Sequence, residues 1–211
     1  MIYRVNEIFA SIEGEGRRAG LPCVFVRLVG CNLRCSFCDT AYAFEPSDTD
    51  ELLDEAQIAA RVREYGLRAV TITGGEPLTW DLAPLLDALA DFEVDIETTG
   101  SIELPAVADN VFFTMDWKAP SSDMSDAMCE ANLARLTSRD VLKFVVGSTE
   151  DMRACAQVLA SHDIAAQVFF SPVFGAIEPR EIAEFLVENA LDARLQIQLH
   201  KVVWSPDARG V

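Results

Sequence analysis

Positive charge is scarce in this sequence: 17 Lys and Arg stand against 34 Asp and Glu, a formal net charge of −17. Such a surface repels phosphate backbones, so no nucleic-acid partner is expected. It reads as a solvated acidic exterior. Long apolar runs are missing as well. None approaches the roughly 20 residues a spanning helix needs, so no membrane partner is expected. Residues 1–7 lack the apolar core of a secretion signal. Six cysteines in 211 residues are too few for a disulfide scaffold, which suits a reducing, cytoplasmic compartment. No internal repeat, low-complexity tract or linker divides the chain. Residues 1–211 are expected to form one domain, and a 50% hydrophobic content can fill its core.

What is present is concentrated in one stretch, Cys31-Asn-Leu-Arg-Cys35-Ser-Phe-Cys38-Asp39-Thr40. It follows an apolar run from Val24 to Val29 that reads as a strand, and Gly30 permits a sharp exit. Three thiolates on one loop can hold three irons of a [4Fe-4S] cluster and leave the fourth open to a small molecule. A zinc site is the alternative. Structural zinc needs four protein ligands, and the fourth would have to be Cys23, Cys129, Cys155, His162 or His200. Three free thiols are the remaining alternative.

The rest of the chain alternates strand and helix. An N-terminal strand over residues 1–12 leads to the turn Glu13-Gly-Glu-Gly16, where Gly14 allows close backbone approach to a ligand. Residues 41–53 read as a loop and Asp54 to Tyr65 as a helix. Ala69 to Thr73 is a strand running into Gly74-Gly-Glu-Pro77, with a helix over 80–90. Strands follow at Phe92 to Thr98, Val111 to Met115, Val141 to Val146, Gln167 to Phe170 and Leu195 to Leu199. Helices are expected over 124–136, 149–161 and 179–190. Such alternation implies right-handed βαβ units and a parallel sheet. About six repeats suit an α/β fold of open, partial parallel β/α barrel type. A flat doubly wound sheet lacks support, because no G-x-G-x-x-G follows the first strand. Polar and glycine residues collect where these strands end, the rim at which parallel barrels carry their active sites. Lys143, between Leu142 and Phe144, needs a counter-charge, from Glu97 or another rim acid. Cys23, Cys129 and Cys155 read as core thiols, the last two in helices. His162 reads as surface. His200, ending the last strand, is a candidate to face the pocket.

Cys-x3-Cys-x2-Cys, with Phe37 before the third cysteine, resembles the signature of the radical S-adenosylmethionine (SAM) enzymes. In that family the open iron is chelated by the methionine part of SAM, and the reduced cluster cleaves SAM to a 5′-deoxyadenosyl radical. Gly74-Gly-Glu-Pro77 resembles the family's GGE element, whose backbone and acid meet the SAM ammonium. Further stretches are similar to the 7-carboxy-7-deazaguanine synthases: Ile12-Glu-Gly-Glu-Gly16, Val26-Arg27-Leu28, Thr71 to Pro77, Ile96 to Gly100, and Gln198-Leu-His-Lys201 with Trp204 and Gly210-Val211. The similarity spans nearly the whole chain. It implies a lyase that contracts 6-carboxy-5,6,7,8-tetrahydropterin to 7-carboxy-7-deazaguanine and releases ammonia, in a homodimer that uses Mg2+. A flavodoxin- or ferredoxin-type reductant would supply electrons.

Position by position, the resemblance assigns the cluster to Cys31, Cys35 and Cys38 and Mg2+ to Thr40. It assigns SAM to Phe37, Cys38, Asp39, Gly75, Asp116, Trp117, Lys118, Ser171, Pro172, Val173 and Phe174. The pterin falls to Ile12, Glu13, Gly14, Arg27, Thr73, Glu97 and Val211. A guanidinium fork suits a carboxylate, and a Thr hydroxyl is a hard ligand suited to Mg2+. Asp116-Trp117 stands where the family often has Ser-Pro, and Ser171 where it often has Gln. A glycyl-radical activating enzyme shares the cysteine spacing but often carries further ferredoxin-like cysteines. A non-enzymatic iron–sulfur or zinc protein is the other class.

Overall fold

The computed structural model describes residues 1–206 and 208–211. Among the described residues nine strands form one sheet: β1 (Ile2–Ile12), β2 (Pro22–Leu28), β3 (Glu51–Asp54), β4 (Ala69–Gly74), β5 (Glu93–Thr98), β6 (Val111–Lys118), β7 (Val141–Val146), β8 (Gln167–Pro172) and β9 (Arg194–Leu195). Their order is β3-β1-β2-β4-β5-β6-β7-β8-β9. From β2 to β9 every neighbouring pair is parallel, while β1 is antiparallel to β2 and β3 antiparallel to β1. The sheet is open, with β3 and β9 as its edges. Six full-length parallel strands match the expected partial barrel, and the short β9 adds an edge.

The helices are α1 (Glu55–Glu64), α2 (Ala83–Ala88), α3 (Thr149–Ser161), α4 (Pro179–Glu188) and α5 (Leu199–Val203). A capping box starts α1: Asp54 accepts from Gln57 N at 2.8 Å while Gln57 Oε1 accepts from Asp54 N at 2.9 Å.

Alternation along the strands sorts the two faces of the sheet. Val70, Ile72, Val94, Ile96, Phe113, Met115, Leu142 and Phe144 are buried in the core cluster. Most residues of the opposite parity are polar, among them Thr71 and Thr73, Asp95 and Glu97, Thr114 and Asp116, and Lys143. Register aligns them across strands, Glu7 with Arg27, Arg27 with Thr73, Glu97 with Thr114 and Asp116 with Lys143. One face is therefore a packed core and the other a row of buried polar groups.

Four expectations need correction. Residues 41–53 contain the start of β3, whose four residues are too short for an alternating pattern to register. Residues 124–136 are not a helix. They form short 3₁₀ turns at Ser125–Ala127 and Glu130–Asn132. The buried Asn132 side chain donates to Gly100 O and Ile102 O and accepts from Leu104 N, anchoring the turns to the loop after β5. Cys129 is consequently outside any helix. The last strand is only Arg194–Leu195. Gln196 turns away to bond the backbone N–H and C=O of Gly16 at 2.7 and 2.9 Å, and Leu199–Val203 is helical, with His200 on it. Finally, β6 runs through Lys118 rather than ending at Met115, with consequences for Asp116 and Trp117.

Candidate active site

The cysteine loop leaves β2 at the rim. Gly30 N–H donates to Ala43 O at 2.8 Å, and Trp80 Nε1 donates to Val29 O at 2.9 Å. Ser36 fixes the far side, donating from N to Ser122 O at 3.1 Å and from Oγ to Ser121 O at 2.6 Å. Held this way, Cys31, Cys35 and Cys38 are each half-buried and line one cavity of about 590 Å³. Burial raises all three thiol pKa values, while the Lys118 ammonium opposes the rise at each. Among the described residues, no group of three His, Cys, Asp or Glu side chains is gathered as a single metal ion would need. The donor set on this loop, three thiols facing one cavity, fits a cubane with one iron left open.

Gly75 makes the loop's approach possible. A Cβ there would lie 2.2 Å from Gly30 O and 2.8 Å from Cys31 Cβ. Gly75→Ala is therefore expected to push the cysteine loop off the rim, at roughly the 1–3 kcal/mol cost of overpacking. Thermal unfolding and iron content after anaerobic loading would check this. Wild-type values of both would contradict it.

Glu76 departs from its expected role toward the SAM ammonium. Its carboxylate is fully buried and committed elsewhere. It accepts from Leu78 N (2.9 Å), Thr98 Oγ1 (2.9 Å), Thr99 N (2.6 Å) and Thr99 Oγ1 (2.5 Å), tying the end of β4 to the end of β5. It does not line the cavity.

The expected pterin residues Ile12, Glu13, Gly14, Arg27, Thr73, Glu97 and Val211 all line the cavity. Gly14 is packed against the helix α5, where a Cβ would come within 2.3 Å of His200 Nδ1. Thr73 Oγ1 donates to Glu97 Oε2 at 2.8 Å. Arg27, on β2, is paired with a carboxylate of the neighbouring strand β1. Its Nε donates to Glu7 Oε1 at 2.7 Å, across the β1–β2 pair, and Tyr42 Oη donates to the same oxygen at 3.1 Å. Among the described residues, no hydrogen bond engages Nη1 or Nη2 of Arg27. Lys143 finds its counter-charges in Glu15 and Asp116, at 2.7 and 3.1 Å.

Of the expected SAM residues, Phe37, Cys38, Asp39, Gly75, Asp116, Lys118, Val173 and Phe174 line the cavity, as does Thr40. Trp117, Ser171 and Pro172 do not. Because β6 continues through Lys118, alternation points Asp116 and Lys118 inward and sends Trp117 to pack on the core. Ser171 and Pro172 are buried within β8. Thr40 Oγ1 donates to Asp39 Oδ1 at 3.0 Å, and Lys201 Nζ donates to Asp39 Oδ2 at 2.7 Å. Burial works against Asp39's charge, but Lys201 holds its carboxyl below the usual range. Sequence reasoning missed Tyr42, Lys201 and Arg209 as wall residues. Tyr42 lies in the stretch 41–53 read as a loop, and Lys201 and Arg209 lie after the last strand, where neither spacing nor alternation gives a signal.

Two acids, Glu13 on the cavity wall and Asp95 beneath it, are almost wholly buried. Burial, reinforced by Glu97 and Asp95, pushes Glu13 up to about 8, although Thr71 and Arg18 pull the other way. Burial likewise pushes Asp95 up to about 7 against Arg18. The native state then keeps protons that the unfolded chain loses above the ordinary 4.5 of a glutamate. Stability is expected to fall as pH rises from about 4.5 toward about 8. Thermal unfolding of Glu13→Gln should show a weaker fall across that window than wild type. An identical slope would contradict the assignment.

The model of the radical SAM superfamily matches residues 25–186. The 7-carboxy-7-deazaguanine synthase of Clostridium acetobutylicum is 41% identical over 221 aligned residues, covering 100% of both chains. That of Chlorobaculum tepidum is 42% identical over 215, covering 98% of this chain and 96% of the relative. The crystal structure of QueE from Escherichia coli superposes with a TM-score of 0.80 at 29% identity, over 94% of each chain.

Proposed function

The chain belongs to the radical SAM superfamily and, within it, to the 7-carboxy-7-deazaguanine synthases, and from that premise we propose that it converts 6-carboxy-5,6,7,8-tetrahydropterin to 7-carboxy-7-deazaguanine with release of ammonia. The observation that carries this reading is one cavity lined both by three half-buried thiols and by the Arg27 guanidinium, whose Nη atoms make no hydrogen bond among the described residues. When bound, the [4Fe-4S] cluster supplies the electron that cleaves SAM and makes the radical chemistry possible.

The protein's own residues do the holding and orienting. Cys31, Cys35 and Cys38 hold the cluster. Phe37 to Asp39, Gly75, the strand end 116–118 and Val173–Phe174 flank SAM. Arg27 receives the pterin carboxylate on its Nη atoms, while Ile12 to Gly14, Thr73, Glu97 and the Val211 carboxylate surround the ring system. Phe9 stacked on Phe25 at 5.0 Å, with Tyr42, makes the wall apolar and limits water around a reactive carbon. Thr40 offers its hydroxyl to Mg2+, which would fix the substrate carboxylate in a chelate. Thr40→Val should keep full iron content and lose most of its response to added Mg2+. Turnover identical to wild type with and without Mg2+ would remove Thr40 from that role.

A flavodoxin- or ferredoxin-type protein supplies electrons, the chain works in the cytoplasm, and it acts as a homodimer. Among the described residues, no helix is long and apolar enough to cross a membrane. Val187, Leu195 and Ile197 leave an exposed apolar strip near α4 and the edge strand β9 that such a dimer would cover. The discriminating experiment is SAM cleavage by the anaerobically loaded protein with and without the pterin. Productive cleavage that depends on the pterin supports the reading. Cleavage that ignores the pterin and responds to a protein substrate would point to an activating enzyme.

A further inference from the structure

We propose that Lys118 is a positioning residue that sets the reduction potential of the group held by the cysteine loop, and that the ion-pair chain Glu15–Lys143–Asp116–Lys118 keeps its charge in place. This rests on the reading that Cys31, Cys35 and Cys38 hold an iron–sulfur cluster.

The chain of charges is continuous and largely buried. Lys143 Nζ lies 2.7 Å from Glu15 Oε2 and 3.1 Å from Asp116 Oδ1. The second oxygen of Asp116, Oδ2, lies 3.0 Å from Lys118 Nζ. Strand register builds this arrangement. Asp116 and Lys143 are direct partners across β6 and β7, and Lys118 is two residues further along β6, on the same face. Lys143 is 5% exposed, and Lys118 and Glu15 are each 9% exposed. A buried ammonium is tolerated only with partners, and here two ammonium groups share one aspartate.

The order of the charges matters as much as their sum. Two acids and two lysines cancel overall. Asp116 is divided between two lysines, however, and Lys143 is also neutralised by Glu15 at the far end. The chain therefore presents its positive end to the cysteine loop and its negative end to the turn after β1. The loop is fastened to the segment that follows Lys118, through Ser36 to Ser121 and Ser122. Lys118 and all three thiols line the same cavity. Burial works against the Lys118 charge, but Asp116 and then Cys35 outweigh it, so the ammonium persists. A fixed positive charge beside an electron acceptor favours the state with one more electron, and local charge is among the levers on a cluster's potential.

The test is the midpoint potential of the anaerobically loaded protein, measured without SAM after iron content has been checked. Lys118→Gln should shift it to more negative values. At a fixed potential the reduced-to-oxidised ratio should fall by roughly tenfold, equivalent to about 59 mV for one electron. Lys118→Arg should stay near wild type. Asp116→Asn removes a negative charge and should shift the potential the other way, and Glu15→Gln should follow it by a smaller amount. Damage to the loop alone would not reverse sign between Lys118→Gln and Asp116→Asn. An unshifted Lys118→Gln, or both variants moving in the same direction, overturns the proposal. If Lys118→Gln does not fold, Asp116→Asn and Glu15→Gln decide it, and the absence of a positive shift in both overturns it. A wild-type chain that takes up no iron overturns the cluster reading itself, a failure visible before any potential is read.

Discussion

Cys35→Ala is expected to abolish SAM cleavage and to lower bound iron, while the sheet stays folded. The expectation follows from how little the thiol does for the fold. Cys35 is half-buried on a loop and belongs to no core cluster. Its loss should cost the unloaded protein about 1 kcal/mol, the ordinary scale for a point substitution. For a cluster the loss is of another kind, because one iron is left without its protein ligand. Cys23→Ala is the contrasting control. Cys23 is fully buried in β2, and burial pushes its thiol pKa far up, the mark of an inert core residue. That variant should lose stability and keep its iron. Anaerobic iron analysis and the 5′-deoxyadenosine yield separate the two. Normal SAM cleavage by Cys35→Ala would contradict the assignment of the loop.

Arg27→Ala should lower ring contraction by roughly tenfold to hundredfold, the range that losing hydrogen bonds to a charged group implies. Among the described residues only Nε is engaged, by Glu7, so the Nη edge can meet a carboxylate. The guanidinium stands 6.0 Å from the Phe9 ring centre and 5.8 Å from that of Tyr42. SAM cleavage should continue slowly without productive coupling, because small misplacement of the reacting carbon is costly. Arg27→Lys should recover little, since an ammonium cannot form the fork. Glu7→Gln leaves the fork intact and should cost less than Arg27→Ala. Unchanged pterin turnover by Arg27→Ala would remove it from the substrate site.

Much of the fold was legible because its signals are periodic. The strand Val141 to Val146 and the helix over 149–161 coincide with β7 and α3. The signature loop, the glycine pair and the rim acids were legible as breaks in that periodicity. The failures came where side chains overrule local pattern. Asn132 looks like one residue of an amphipathic helix but spends its amide on three backbone groups of another loop. Leu195 to Leu199 alternates as a strand should, yet Gln196 is captured by Gly16, 180 residues away. Arg27 shows a related limit, because Glu7 is set opposite it by β1–β2 register, which no single strand reveals. Glu76 shows the same limit within a recognisable motif, its glycines at the rim and its acid turned into the protein.

The central claim is that this cavity converts a carboxylated pterin to a deazapurine, and one anaerobic turnover tests it. The iron-loaded protein is incubated with SAM, a low-potential reductant, Mg2+ and 6-carboxy-5,6,7,8-tetrahydropterin, and the small molecules are read by mass spectrometry. The account predicts 7-carboxy-7-deazaguanine, lighter than the pterin by one ammonia, with ammonium released in equal amount. Fully loaded protein that cleaves SAM and returns the pterin unchanged would contradict it.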